Sequence, residues 1–457
     1  NLVAISNGAF IGWPSPSLLI LRNPETALGG IPITTEEESR ISSVPYLSAF
    51  ICVPVYSYIN QRWGRKRAGY ITGVSFIISW LFIIFGDSIK YLMVARVFMG
   101  VGASGVNVCI TMYCGEIAED TVRGVLGTFP GPYVTIREMA IISIIIPIIF
   151  LVALFFLPES PMYLITKERD EEAMESLLWL CGNKKAAEVE MEKLKIVVNE
   201  FKSNSSKHLS LKELLSFRGT RKAISIAFIL AVLQQFTGMY VVLSFCASIF
   251  EMAGTDLSPN TSSLIAGLML LVGSLLSAFL TDLVGRRIVT IATELVIFLT
   301  LGALGIYFYL QEIGFDVSVL GLLPVFCISI CFISISSGLP TLVYIIVAEI
   351  FTPGARGIAT LTTNGIISLL AFLIMKFYPI LLTVIQGYGC FWIFSVFSLM
   401  GAIYSYFFIP ETKNRSIESI LRELNGETDV NIPEFSLFKQ KNKIEFDLHH
   451  NNKMSFE

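Results

Sequence analysis

The chain has 457 residues, of which 54% are hydrophobic and 15% are charged, and its formal net charge is −3. Soluble domains average about 45–50% apolar and about 25% charged residues. The composition therefore excludes an ordinary soluble protein, and it equally excludes disordered, collagen-like and disulfide-scaffold chains.

Long apolar runs dominate the chain and predict membrane-spanning helices, which need about 20 apolar residues each. Eleven runs meet this requirement: 2–21, 41–59, 69–86, 91–114, 139–157, 223–250, 262–284, 288–310, 320–348, 357–383 and 389–409. We therefore predict an all-α polytopic membrane protein in four parts. They are an N-terminal bundle of five spans (1–158), a charged, partly helical cytoplasmic linker (159–222), a bundle of six spans (223–412) and a polar cytoplasmic tail (413–457).

Basic residues are concentrated in alternate loops and in the linker. The loop 60–68 contains Arg62, Arg65, Lys66 and Arg67, and the linker contains 12 Lys/Arg. Cytoplasmic loops carry such an excess. We expect these loops and both termini to be cytoplasmic, an arrangement that twelve alternating crossings allow and eleven do not.

Three motifs recur in the same order in the two halves of the chain. Gln61-Arg62-Trp63-Gly64-Arg65-Lys66 returns as Asp282-Leu283-Val284-Gly285-Arg286-Arg287, and Pro158-Glu159 returns as Pro410-Glu411. A glutamate separated from Arg-Gly by six residues also occurs in both halves. Such repeats indicate two homologous, pseudo-symmetric bundles, an architecture typical of transporters.

The repeat also predicts that one helix is missing from the first half. Arg123 and Pro158 are 35 residues apart (158 − 123), whereas the matching Arg356 and Pro410 are 54 apart (410 − 356). The difference of 19 residues is close to one crossing. We expect the fifth helix to be absent between about Phe129 and Gly131, and the chain as given not to transport. Because the first residue is Asn1, we also expect the native start to be missing.

Charged residues of the repeated motifs form the candidate gate at the cytoplasmic ends of the helices. Arginine pairs well with carboxylates, and an ion-pair cluster here could hold the halves together until they rock apart; the alternative is that these charges only set topology. The candidate gate residues are Arg65, Glu116, Arg123, Asp282, Arg286, Glu349 and Arg356.

A pair of amides, Gln234-Gln235, lies within the apolar run 223–250 and is followed by Thr237. Amides within a membrane need partners, and sugar hydroxyls can both donate and accept hydrogen bonds. The alternative is that they join neighbouring helices. Arg96 lies near the outer end of the apolar run 91–114, and the first run contains no carboxylate to pair with it. One interpretation is that its side chain extends to the outer interface.

Other residues exclude several classes of function. The three His lie outside the apolar runs, and no Cys-x-x-Cys pair occurs, so we expect no metal site and no cofactor. No nucleophile–base constellation indicates an enzyme, and nothing indicates a nucleic-acid partner. Asp87 and Glu294 are near run ends, and the lack of a central acid favours transport without proton coupling.

Taken together, the motifs resemble those of the sugar porter family of the major facilitator superfamily. The matching segments include Arg62-x-Gly64-Arg65, Glu116-x6-Arg123-Gly124, Gln234-Gln235-x-Thr237-Gly238 and Glu349-x6-Arg356-Gly357. Gly12-Trp13-x-Ser15-Pro16 further resembles insect facilitated trehalose transporters and their paralogues. The resemblance implies a twelve-helix fold, alternating access and uniport of a hexose or disaccharide across the plasma membrane.

Several positions depart from the family pattern. The resemblance places a sugar-binding Asn at Tyr240, another at Leu270 and a Trp at Tyr344. The remaining candidate binding residues are Gln234, Gln235, Thr237, Tyr240, Tyr344 and Asn364. Two alternatives to sugar transport therefore stay open: a paralogue that moves another small polar or amphipathic solute, and a non-transporting sensor or inactive splice product.

Overall fold

The computed structural model describes residues 2–24, 31–110, 135–205, 218–351, 353–413, 415, 419–420 and 422–423. Every regular element in these ranges is a helix. Nine of the helices there are long and apolar enough to cross a membrane. Buried apolar residues of both halves form one continuous core cluster.

The first half contains six helices in the described ranges. They are α1 (Leu2–Gly12), α2 (Pro14–Arg22), α3 (Thr35–Trp63), α4 (Arg65–Phe85), α5 (Ile89–Gly105, continued by a π-helical turn Val106–Ile110) and α6 (Ile136–Phe156). A capping box begins α3, where the Glu37 N–H donates to Thr34 Oγ1 and the Thr34 N–H donates to Glu37 Oε2. Thr135 and Glu138 begin α6 in the same way.

Three helices occupy the linker: α7 (Pro161–Thr166), α8 (Asp170–Cys181) and α9 (Lys184–Ser205). They share a small core of their own, in which Leu164, Leu177 and Met191 are buried.

The second half contains eight helices and a short 3-10 turn. They are α10 (Arg218–Phe236), α11 (Met239–Ser244), α12 (Cys246–Ala253), α13 (Pro259–Val284), α14 (Arg286–Glu312), the 3-10 turn Ser318–Leu320, α15 (Leu323–Ser337), α16 (Leu339–Ile350) and α17 (Pro353–Phe408). The 56 residues of α17 would measure about 84 Å as one straight helix. At Gln386 the backbone has φ 57° and ψ −178°, so α17 is two helices joined at this residue.

Three apolar runs that the sequence predicts as single helices are interrupted in the structure. They are 2–21, 223–250 and 320–348. In each run, one break coincides with a proline or glycine that the interior of a helix does not accommodate. Pro14 begins α2 and Pro340 lies in the first turn of α16, while Gly238 has a left-handed φ of 74°.

Two sharp turns mark one end of the molecule, which we call the basic end. Gly64 (φ 95°) separates α3 from α4, and Gly285 (φ 104°) separates α13 from α14. The other end, where Arg22 pairs with Glu38 and Asp87 with Arg137, we call the opposite end.

A carboxylate from the end of the same half closes each of these turns. Glu159 accepts hydrogen bonds from the N–H groups of Arg65 and Lys66 at 3.0 and 3.1 Å. Glu411 accepts them from the N–H groups of Arg286 and Arg287 at 3.0 and 3.2 Å. The carboxylates thus satisfy N–H groups that a helix leaves unpaired at its start.

The helices on either side of the undescribed stretch 111–134 meet it at opposite ends of the first half. Val108 and Cys109 pack with Ile59 and Ala68 beside the Gly64 turn, so α5 finishes at the basic end. Arg137 pairs with Asp87, so α6 begins at the opposite end. It then returns to the basic end, where Glu159 meets Arg65.

The two halves meet along α3 and α17, which run antiparallel. Ser39 Oγ donates to the carbonyl of Lys376 at 2.6 Å near the opposite end, and the ring of Phe50 lies against Gly365 farther along. At the opposite end α2 also meets α12, because the Ala247 N–H donates to Ser15 Oγ at 3.1 Å. The halves are therefore joined at the opposite end by two separate helix pairs.

Gly285→Ala should destabilise the protein, because its φ suits glycine and a Cβ there would lie 2.6 Å from Glu411 Oε2. The backbone strain alone costs about 1–3 kcal/mol, because φ 104° with ψ 157° is a conformation nearly restricted to glycine. Thermal unfolding of the purified chain measures the effect. Gly357→Ala is the matched control, because a Cβ at Gly357 meets nothing within 4 Å and alanine favours helix. Equal melting temperatures for the two variants would contradict the conclusion that the turn at Gly285 requires glycine.

Candidate solute site and gate

Three of the candidate solute-binding residues are buried amides. The side chains of Gln234, Gln235 and Asn364 are each 2% exposed. One polar atom of each has no hydrogen-bond partner among the described residues: Gln234 Oε1, Gln235 Nε2 and Asn364 Oδ1. An unpaired buried polar atom costs about 1–3 kcal/mol. The two oxygens can accept a hydrogen bond from a solute, and the nitrogen can donate one.

The break after α10 follows directly from the residues beyond the amide pair. Thr237 Oγ1 donates to the carbonyl of Gln234 at 2.8 Å, and the Gly238 N–H donates to the carbonyl of Gln235 at 3.1 Å. The left-handed Gly238 then turns the chain into α11. A Cβ at Gly238 would lie 2.5 Å from the ring of Phe394, so the turn also needs the space that glycine leaves.

Tyrosines occupy the positions where the resemblance places a polar Asn and a Trp. Tyr240, the second residue of α11, and Tyr344, in α16, are both partly buried. Leu270 packs against the apolar core. The sequence reasoning did not include Tyr46 of α3, whose ring centroid is 5.0 Å from that of Tyr240. No motif marks Tyr46, and only an inter-half contact identifies it.

Arg96 is 1% exposed and does not extend to the interface. Its Nε donates to the carbonyl of Ile41 at 2.9 Å and its Nη1 to that of Phe10 at 3.4 Å. The guanidinium carbon is also 5.2 Å from the ring centroid of Phe10 and 5.3 Å from that of Trp13. Within the described ranges, carbonyl oxygens and rings surround this cation, and no carboxylate pairs with it.

Two carboxylates are buried inside long helices. Glu38, 3% exposed, accepts hydrogen bonds from Arg22, the shortest at 2.6 Å. Glu294 is fully buried in α14, and neither of its oxygens has a partner in the described part of the chain. A Cβ on Gly401 would lie 3.1 Å from Glu294 Oε2. Glu294 is near a run end, and the structure shows that it is buried there, because α14 begins at Arg286 and packs this residue against α17.

Part of the candidate gate is present at the basic end. Arg286 Nη2 is 3.2 Å from Glu349 Oε1, and both side chains are partly buried. Arg286 Nη1 donates to the carbonyl of Thr281 at 3.2 Å. In the first half Arg65 Nη1 donates to the carbonyl of Asn60 at 3.2 Å. Each arginine therefore donates to the carbonyl of the residue five positions before it.

The remaining gate residues are not brought together by the described structure. Glu116 and Arg123 lie outside the described residues, and the side chains of Asp282 and Arg356 are likewise not described. The pair that is seen, Arg286–Glu349, joins two segments of the same half. Among the described side chains no group of three or more His, Cys, Asp and Glu is placed to hold a metal ion.

The all-helical, multi-pass architecture matches solved structures of the major facilitator superfamily. One is the proton:xylose symporter XylE bound to 6-bromo-6-deoxy-D-glucose, with a TM-score of 0.69 and 18% identity, covering 92% of this chain and 97% of that one. Another is the inward open conformation of XylE from E. coli, with a TM-score of 0.70 and 19% identity, covering 92% and 97%. These likenesses establish the fold.

The sequence comparisons identify the family. The family model "Sugar (and other) transporter" matches residues 19–136 and 133–424. A facilitated trehalose transporter of Polypedilum vanderplanki is 30% identical over 445 residues, covering 93% of this chain and 87% of the relative. Another from Bombyx mori is 29% identical over 429 residues, covering 91% and 83%. The chain therefore belongs to the sugar transporter family, whose members are transporters rather than enzymes.

If the candidate gate, which includes Glu116 and Arg123 of the first half, joins the two halves, Glu349→Gln should shift the protein toward the state that is open at the basic end, because the variant removes one of its carboxylates. A partly exposed pair supports a shift of roughly twofold to fivefold. The measurement is the alkylation rate of a single reporter cysteine at Thr363, which is buried beside Asn364, in a background without native cysteines.

Glu312→Gln serves as the control, because Glu312 is exposed at the opposite end of α14. An unchanged alkylation rate in Glu349→Gln would leave these charges with a role in topology alone.

Proposed function

We propose that this protein, with the fifth helix in place, carries out facilitated transport of a sugar, a hexose or a trehalose-like disaccharide, by alternating access. The observation that carries the proposal is the set of unpaired buried atoms on Gln234, Gln235 and Asn364. Sugar hydroxyls donate and accept hydrogen bonds, so one solute can satisfy both acceptors and the donor. Family membership and the trehalose transporters among its relatives support this reading.

The two-half architecture supplies a mechanism for alternating access. Contacts of α3 with α17 and of α2 with α12 join the halves at the opposite end. Rocking of the halves about these contacts would alternately open and close the basic end, where we place the gate. We propose that the basic end and both termini face the cytoplasm of a cell whose plasma membrane contains the protein, because cytoplasmic loops are enriched in Lys and Arg.

A second candidate function is transport of another small polar or amphipathic solute. Tyr240, Leu270 and Tyr344 favour it, because at these positions the family resemblance leads one to expect amides and a Trp. A site built to bond a hydroxyl discriminates strongly by that bond. Replacing one amide with the Tyr240 ring and another with the apolar Leu270 therefore shifts recognition toward apolar faces of the solute.

We further propose that the fifth helix is missing and that eleven spans remain. The chain leaves α5 at the basic end and enters α6 at the opposite end, so residues 111–134 connect the two ends. Pro130 and Pro132 lie in this stretch, and a non-helical backbone in lipid leaves polar groups unpaired. The family match is also divided in two, at residues 133–136. Each observation supports a lost helix near Phe129.

Gln235→Leu should weaken solute binding by roughly tenfold to a hundredfold, because a solute hydroxyl is then left unpaired. Binding of trehalose and of D-glucose to the purified 457-residue chain is measured by calorimetry, with monodispersity checked first. Asn60→Leu is the matched control. Asn60 is also a buried amide, 2% exposed, with unpaired side-chain atoms, but it lies beside the Gly64 turn. Equal loss in both variants would indicate that the amides only pack helices together.

The 457-residue chain should show no saturable sugar uptake in oocytes although it reaches the membrane. Inserting the fifth helix of a trehalose transporter relative between Phe129 and Gly131 should restore uptake, because it supplies the crossing that the first half lacks. A glycine- and serine-rich insert of the same length is the control. Robust uptake by the chain without any insert would overturn the proposal of a missing helix, and leave the binding prediction untouched.

A further inference from the structure

A continuous row of contacts runs from buried Arg96 to the solute site. The guanidinium of Arg96 lies 5.2 Å from the ring centroid of Phe10. The ring of Phe10 is 5.8 Å from that of Tyr46, and the ring of Tyr46 is 5.0 Å from that of Tyr240. The last of these contacts crosses from the first half to the second.

The first-half members of this row are held in place. Arg96 is fixed by hydrogen bonds to two carbonyl oxygens, and Phe10 and Tyr46 are 3% and 6% exposed. Side chains packed at this density keep their rotamers. Tyr46 therefore presents a fixed surface to Tyr240 rather than a mobile one.

Tyr240 itself stands at the site. Tyr240 is two residues after the turn at Gly238, and the amides Gln234 and Gln235 lie just before that turn. Its ring is only partly buried, as is that of Tyr344. An aromatic face next to unpaired amides offers a solute one apolar surface and several polar contacts.

A ring sugar and an open-chain polyol differ at such a surface. Both carry hydroxyls for the amides, but only the ring form has a rigid face of C–H groups. The polyol must also lose more conformational freedom when it binds. A fixed aromatic ring therefore favours the ring form, whereas a loosely held ring discriminates less.

We propose that Tyr46 is a positioning residue that holds the Tyr240 ring, and that the site thereby selects ring-form sugars over acyclic polyols. The inference rests on the proposed function, because it assigns a solute class to the same site. Tyr46 acts through Tyr240, and Phe10 and Arg96 act through Tyr46.

The test compares binding of D-glucose with binding of D-sorbitol, which is its acyclic polyol, to the purified 457-residue chain. The native chain should prefer glucose. Tyr46→Leu should reduce the ratio of the two affinities roughly threefold to tenfold, as expected for loss of an aromatic pair. Tyr46→Phe keeps the ring and should keep the ratio.

Two further variants separate positioning from folding. Phe10→Leu leaves Tyr46 in the chain but removes its support, and should reduce the ratio in the same direction. Tyr56→Leu is the control, because Tyr56 is buried on the same helix but lies against Thr72 and Gly105 within the first half. It should leave the ratio unchanged.

The outcomes distinguish this inference from the proposed function. An unchanged ratio in Tyr46→Leu, or an equal loss for both solutes, overturns the inference while sugar binding stands. If the native chain binds neither solute nor trehalose, the proposed function fails and the inference fails with it.

Discussion

The need to pair every backbone polar group away from water governs this structure. A helix leaves its first N–H groups unpaired, and in lipid each such group costs several kcal/mol. Glu159 and Glu411 satisfy this need at the start of α4 and α14, each reaching across its own half. The first residues of α4 and α14 are thereby linked to the segments that follow α6 and α17.

Sequence alone predicts most of the membrane helices but not their interruptions. Hydropathy reports the length of an apolar run, and each of the runs predicted here contains helix where the structure describes it. It does not report that Pro14, Gly238 or Pro340 stops a helix inside lipid, because these residues are themselves compatible with an apolar run. The repeat located Glu159 and Glu411, but only the structure shows that they accept hydrogen bonds from backbone N–H groups.

The candidate site was only partly accessible from sequence for a similar reason. Gln234 and Gln235 are conspicuous because amides are rare in apolar runs, whereas Tyr46 is an ordinary aromatic residue in such a run. Its importance arises from a contact with Tyr240, nearly 200 residues away in the chain. Likewise Glu294 looked close to a run end, and it is buried because α14 begins at Arg286 and faces Gly401. Long-range pairing of this kind leaves no local pattern in a single sequence.

The break at Gln386 has a consequence for how the chain enters the membrane. Its backbone conformation is one that residues other than glycine rarely adopt, and it turns α17 back within a single residue. The two arms therefore have almost no polar loop between them to translocate. We expect such a hairpin to enter the bilayer as one unit during synthesis. An epitope tag at this turn would disturb insertion, whereas the longer connection at 313–322 offers a better position for one.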